Sequence, residues 1–398
     1  MKKVLKWNGL LLMREWKTRL LLIGFLLFLS TFSLLYREQS VILPEDQLRS
    51  EYSDAHQIFR LVPDAHFEGE LGQEVETRLA RNSRLIGLNQ YILTQREGNT
   101  IEGLEDVVSD YLQNGREMAE NNLFLHDATE FESHDLLTSV YLPSREEVEE
   151  QLGFYNALEE NNLDIEWNPY ASSQIFQQQI ELFISVVLFI AIALLAGDHF
   201  TKDQTKNYSV TQNIPLPMKT QWRGRTFLLW LMTWIVAVTG IGASYGISLF
   251  SSDTSGSLRY PIPIYFSQSV SYIPLWLYGV LLVVLGMILS YLFLLIITGL
   301  SWMIRNVYFT LFIVGALVLF PVVWTFLTPF SGWQPSFYTN IVSVISGQSA
   351  VLYQLPTIEF WRLPLLAILM WGAIELVFHY LFKLIPTKTL GLKRRVTR

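Results

Sequence analysis

Six stretches of this 398-residue chain are apolar over a length that matters for membranes. Crossing a hydrocarbon core of roughly 30 Å takes about 20 apolar residues in a helix. Residues 20–36, 180–197, 226–250, 273–300, 307–327 and 363–384 approach or exceed that length. The pattern predicts an all-α polytopic membrane protein with six transmembrane helices. The first stretch is the shortest, and its flank "STFSLLYREQ" carries no small-residue cleavage site. It therefore reads as a retained anchor rather than a signal peptide.

The segments between the apolar runs have patterns of their own. Residues 37–179, between the first two, predict a mainly helical domain long enough to bury its own core. Its clearest helix is "SREEVEEQLGFYNALEENN", where Ser144 and Glu147 stand at capping-box spacing. Val148, Leu152, Tyr155 and Leu158 then form one apolar stripe. Residues 1–19 mix leucines, cations, Trp7 and Trp16, as a helix lying in the membrane interface does. Residues 328–362 include "FYTNIVSVISGQSAVLYQLP", too apolar for a free loop and too short to cross. Short re-entrant helices fit that stretch.

Charge orients the chain. All ten lysines fall in residues 1–19, 198–225 and 383–398. Cytoplasmic loops are the ones enriched in Lys and Arg, so both termini are expected inside and the 37–179 domain outside. That domain holds 29 of the 36 acidic residues, nine arginines and no lysine, a net −20. The rest of the chain is +13. A domain this acidic avoids anionic headgroups and attracts cations. The expected location is a bacterial plasma membrane, crossed several times, with the basic tail 385–398 in the cytoplasm.

Composition and motifs narrow the chemistry. The chain is 51% hydrophobic with a mean hydropathy of +0.28, and it has no cysteine. Disulfides, thiolate metal sites and cysteine nucleophiles are thereby excluded. His56, His66, His126 and His134 lack metal-ligand spacing, so no metal site is expected. There is no G-x-x-x-x-G-K-[ST] loop, so no nucleotide is held by that mechanism. "GASYG" at 242–246 matches a nucleophile elbow, but Ser244 falls within an apolar helix rather than a strand–turn–helix. Gly242 and Gly246, preceded by Gly240, read instead as a small-residue face for helix packing. Glu375 lies within the last apolar run with His379 four residues on, where the two share a helix face and can hydrogen-bond. An ionisable residue there marks a polar site facing the protein interior, either a functional one or a buried structural pair.

The remaining feature is the stretch "GDHFTKDQTKNYSVTQNIPLPMKTQWRGR" at 197–225, between the second and third apolar runs. Residues 201–213 can form a short helix, and Pro215 and Pro217 force an extended exit from it. Phe200, Asp203 and Lys206, then the Pro215–Pro217 turn with Lys219 and the Gly224-Arg225 pair, follow an aromatic–acidic–basic pattern that ends in a proline turn. Asn207-Tyr208 stands where such loops have Gly-Thr. With six spans and both termini inside, this loop resembles that of an ABC-2-type permease, the membrane subunit of an ATP-binding-cassette exporter. The large domain between helices 1 and 2 is similar to that of one subgroup of the family.

The resemblance implies that 198–225 is a cytoplasmic coupling loop. Phe200, Asp203, Lys206, Tyr208, Val210, Ile214, Pro215 and Pro217 would engage a separate ABC ATPase subunit. ATP-Mg would then bind that partner, with no cofactor on this chain and no catalytic residue in it. A second permease subunit, identical or related, would complete the pathway in the lipid bilayer, and no nucleic acid is expected as a partner. The substrates implied are a cationic antimicrobial peptide, a lipid-like molecule or sodium ion. The alternative reading is a membrane-anchored sensor or scaffold whose acidic domain binds a ligand without transport.

Overall fold

The computed structural model describes residues 9, 12, 15–37, 67–96, 104–132, 134–166, 170–198, 200, 217–251, 256–267, 269–304, 306–316 and 332–384. Four of its helices are long and apolar enough to cross a membrane, which is the make-up of a membrane protein. They are α6 (Ser172–Ala196), α7 (Met218–Ser251), α8 (Leu275–Ile304) and α12 (Arg362–Leu384). At 1.5 Å per residue even α12 reaches about 33 Å.

The other two expected spans are shorter among the described residues. The first is broken into α1 (Trp16–Ser30) and α2 (Phe32–Arg37), with Thr31 between them. Of the 1–19 stretch expected as an interfacial helix, residues 1–8, 10, 11, 13 and 14 lie outside the described residues. Glu15 is extended at φ −72° and ψ 119°, and α1 starts one residue later, four residues before the apolar run itself. The fifth is α9 (Val307–Ala316), and 317–327 lie outside the described residues.

Among its described residues the acidic segment has three long helices, α3 (Gly69–Arg96), α4 (Leu104–Asp127) and α5 (Arg145–Glu160), with a short helical stretch at 134–141 before the last. Val75 and Leu79 of α3 share a small core with Leu125, Ala128, Phe131 and Leu137. Beside that core, Asn82 and Asn122 exchange a 2.7 Å hydrogen bond and Asn121 donates to Asn82 at 2.9 Å. Arg78 also donates to Asn121, at 2.7 Å. A buried polar set of this kind is satisfied only in one alignment of α3 on α4. The capping box forms as expected, with Glu147 N–H on Ser144 Oγ (3.3 Å) and Ser144 N–H on Glu147 Oε2 (2.9 Å).

The fold is not purely α. Strands β1 (Pro261–Phe266) and β2 (Ser269–Pro274) pair antiparallel, with Ile262 opposite Ile273 and Ile264 opposite Ser271. The stretch "YPIPIYF…SVSYIP" is rich in the aromatic and β-branched residues that suit strands. Its prolines are tolerated because both strands are edges. Ser267 makes the tight turn at φ +54°.

This hairpin joins the acidic domain to the membrane helices. Gly153 of α5 lies against the Tyr272 ring, whose hydroxyl donates to Glu150 C=O at 2.5 Å. Phe154 packs edge-on to Tyr260. Burial first, and then neighbouring Glu166 and Glu150 respectively, push the Tyr260 and Tyr272 hydroxyls far above the ordinary tyrosine range. Both therefore stay neutral. β2 passes into α8 with no intervening residue.

Short helices do form in 328–362: a 3-10 turn (Pro335–Thr339), α10 (Ile341–Ile345) and α11 (Gln348–Leu352). Ile341, Val344 and Ile345 are buried in the same core as α6 and α8. Gly347 links α10 to α11 at φ +79° against the Tyr265 side chain, where a Cβ would sit 3.0 Å away.

The close approach of the first and third apolar segments is not made by Gly242 and Gly246. A Cβ at either would meet nothing within 4 Å. Gly240 makes it instead: a Cβ added there would sit 2.7 Å from the Leu29 Cβ of α1. At 100° per residue, position 242 points more than half a turn away from 240.

Candidate functional site

Both ends of the 197–225 stretch are held in one buried joint. α6 ends at Ala196, and Asp198 just beyond is 7% exposed. Lys17 of α1 donates to Asp198 Oδ2 at 2.8 Å and to Leu194 C=O at 3.1 Å. It neutralises the acid and also satisfies one of the last, otherwise unpaired carbonyls of α6. Phe200 is 1% exposed, and its N–H donates to Ser301 Oγ of α8 at 3.2 Å.

The far end of the stretch closes over the near end. α7 begins earlier than the sequence pattern implies, at Met218 rather than Thr226, so Lys219, Gly224 and Arg225 are helical rather than loop. Exposed Pro217 starts the first turn, its carbonyl accepting from Thr220 N–H (2.9 Å) and Gln221 N–H (3.2 Å). Arg225, 4% exposed, sets its guanidinium 4.9 Å from the centre of the Phe200 ring, within cation–π range.

Trp222 is the hub, fully buried on the same helix. Its indole N–H reaches Thr298 Oγ1 of α8 at 3.0 Å, and Thr226 bonds the same hydroxyl at 2.8 Å. The Trp222 ring packs on Phe378 and Phe382 of α12, with centroids 5.0 and 5.5 Å away. Trp302 of α8 closes the cluster against Phe382 at 4.8 Å.

Glu375 belongs to the same joint. Its expected partner on its own helix, His379, is not the one it uses; the His379 ring packs against Tyr380. Glu375 turns to α7 instead, where Arg223 Nε donates to Oε1 at 2.6 Å and a terminal guanidinium nitrogen lies 2.6 Å from Oε2. Lys219 Nζ lies 3.0 Å from Oε2. Lys219 and Arg223 are four residues apart, on one face of α7, so one carboxylate meets both. A charge-assisted hydrogen bond of this kind, with a second guanidinium nitrogen beside the other oxygen, is stronger than one between neutral groups. The carboxylate is shielded while both cations keep a third or more of their side chains exposed, leaving a net +1 patch.

Phe200 was expected on a surface facing a partner, yet it is enclosed by this chain's own helices, so it anchors rather than docks. Of the other sequence-predicted loop residues, Asp203, Lys206, Tyr208, Val210, Ile214 and Pro215 lie outside the described residues. Trp222, Thr298 and Ser301 are the members of the joint that spacing did not mark. Their one legible signal is polar or aromatic character in or beside an apolar run. Among the described residues no three of His, Cys, Asp or Glu converge as metal ligands do. The chemistry on offer is mechanical: ion pairs and rings that tie this basic stretch to α1, α8 and α12. No family model, curated protein or solved structure matches this chain.

Proposed function

We propose that this chain is the membrane-spanning permease subunit of an ABC-2-type exporter, driven by a separate ATPase that presses on residues 198–217. The observation that carries this reading is the joint. A stretch whose two ends are fixed to each other and to α1, α8 and α12 passes a push on to the helices. A solvated connector with loose ends would absorb it.

In this reading the chain has six spans with both termini in the cytoplasm, and the acidic domain stands outside. ATP binding closes the ATPase pair, and the loop transfers that closure as a rigid-body change of the helices. The domain's net −20 makes a cationic peptide the first substrate class to try, ahead of a lipid-like molecule or sodium ion. Two permease subunits, identical or related, line the pathway.

The test is purification of the tagged full chain from its native membranes in mild detergent, followed by an ATPase assay. A P-loop ATPase should co-purify and turn over ATP. Phe200→Ala should keep that partner bound while lowering transport per ATP at least several-fold, because the anchor rather than the docking surface is lost. A chain that purifies alone and supports no ATP-dependent transport would end the proposal.

A further inference from the structure

The break between α1 and α2 has an unusual hydrogen-bond pattern. In a continuous helix, Ser33 N–H would donate to Leu29 C=O, the bond from residue i to i−4. Here each group is taken by a side chain of another helix. Ser33 N–H donates to Ser244 Oγ of α7 at 3.2 Å, and Leu29 C=O accepts from Gln179 Nε2 of α6 at 2.7 Å. All four residues are at most 1% exposed. Two side chains on two neighbouring helices thus stand in for one backbone bond.

Leu29-Ser30-Thr31-Phe32-Ser33 contains neither proline nor glycine. Thr31 sits at φ −92° and ψ 2°, with its hydroxyl donating back to Leu27 C=O at 2.8 Å, a local bond that bends a helix without ending it. Sharp interruptions of helices otherwise trace to Pro, Gly, a π-bulge or a side chain inserted into the ladder. The last applies here. The break is also imperfectly satisfied, since among the described residues neither Gln179 Oε1 nor Ser33 Oγ has a hydrogen-bond partner. Backbone groups in hydrocarbon must be satisfied within the protein. Both the broken and the continuous form meet that requirement, one through side chains and the other through the helix itself.

We infer that residues 29–33 are a two-state hinge, locked in the broken form by Gln179 and Ser244 and continuous when that lock opens. The continuous form is a 22-residue helix from Trp16 to Arg37, about 33 Å long. One end of this segment is tied through Lys17 to Asp198. At the other, the Tyr36 ring lies 6.2 Å from Tyr170, just before α6. Making the helix continuous redirects its upper part and carries Tyr36 off Tyr170. The inference does not rest on the permease reading, because it concerns only how this helix is paired.

The absence of cysteine makes the test clean. Tyr36→Cys with Tyr170→Cys, in the full chain in native membranes, is joined with a short bifunctional thiol reagent. The parent pair should cross-link in high yield. Ser244→Ala and Gln179→Leu should each lower that yield several-fold, while Ser244→Thr, which keeps the hydroxyl, should preserve it. Thr31→Ala leaves both lock residues in place and favours helix at the break. It too should lower the yield, and it decides the matter if a lock variant fails to insert. Equal yields in all these backgrounds, or a fall in Ser244→Thr as large as in Ser244→Ala, would overturn the hinge.

Discussion

Glu375 is the residue at which sequence spacing and three-dimensional pairing part company. Spacing reports only neighbours on the same helix, so it pointed to His379. The actual partners, Lys219 and Arg223, lie more than 150 positions away on α7. A carboxylate within an apolar run was legible as needing a partner, and Glu375 pairs with two cations. Glu375→Gln leaves two cations facing an amide. Because both are partly exposed, water recovers some of the loss, and the expected destabilisation is about 1–3 kcal/mol. Thermal melting of the purified protein checks this. Glu375→Gln combined with Arg223→Gln should cost less than the two singles together, since the pair is lost only once.

At the scale of elements, the apolar runs placed the long helices well but not their ends. α6 starts at Ser172 and α7 at Met218, because polar residues that pair with other helices continue the helix where hydropathy has already fallen. The hairpin was hidden because its alternation is short and interrupted by prolines. The capping box at Ser144 was visible because it is local, needing only two residues three apart. Glycine spacing marked the small face but not its neighbour: among the described residues Gly240 meets α1, while Gly242 and Gly246 meet no other helix. Gly240→Leu should therefore prevent α1 from seating on α7 and yield aggregated or unstable protein. Gly242→Leu should leave the melting temperature of the isolated chain within a degree or two, the range of an ordinary surface change. Size-exclusion profiles of the two variants, side by side, decide it.

For the whole molecule, charge was more informative than any motif. The −20 of residues 37–179 against +13 elsewhere separates one domain from the rest before any coordinate is known. The expected orientation has a direct measurement. A single cysteine at Glu130, exposed beyond the end of α4, should react with an impermeant thiol reagent on intact cells. One at Lys383, at the far end of α12, should react only after permeabilisation. The reverse pattern would invert the orientation. What no sequence reading supplied is how the domain is attached, because Tyr272 and Glu150 meet across more than 100 positions of chain.

That attachment has a consequence for how the protein can be controlled. α8 follows β2 without a joint, so the helix that receives Tyr272's grip on α5 also carries Thr298 and Ser301, about 40 Å further along. A stiff rod gripped at both ends cannot move at one alone. A small binding protein that pins α5 to the hairpin would therefore act as a brake on the distant joint. It would do so without touching a single residue of that joint.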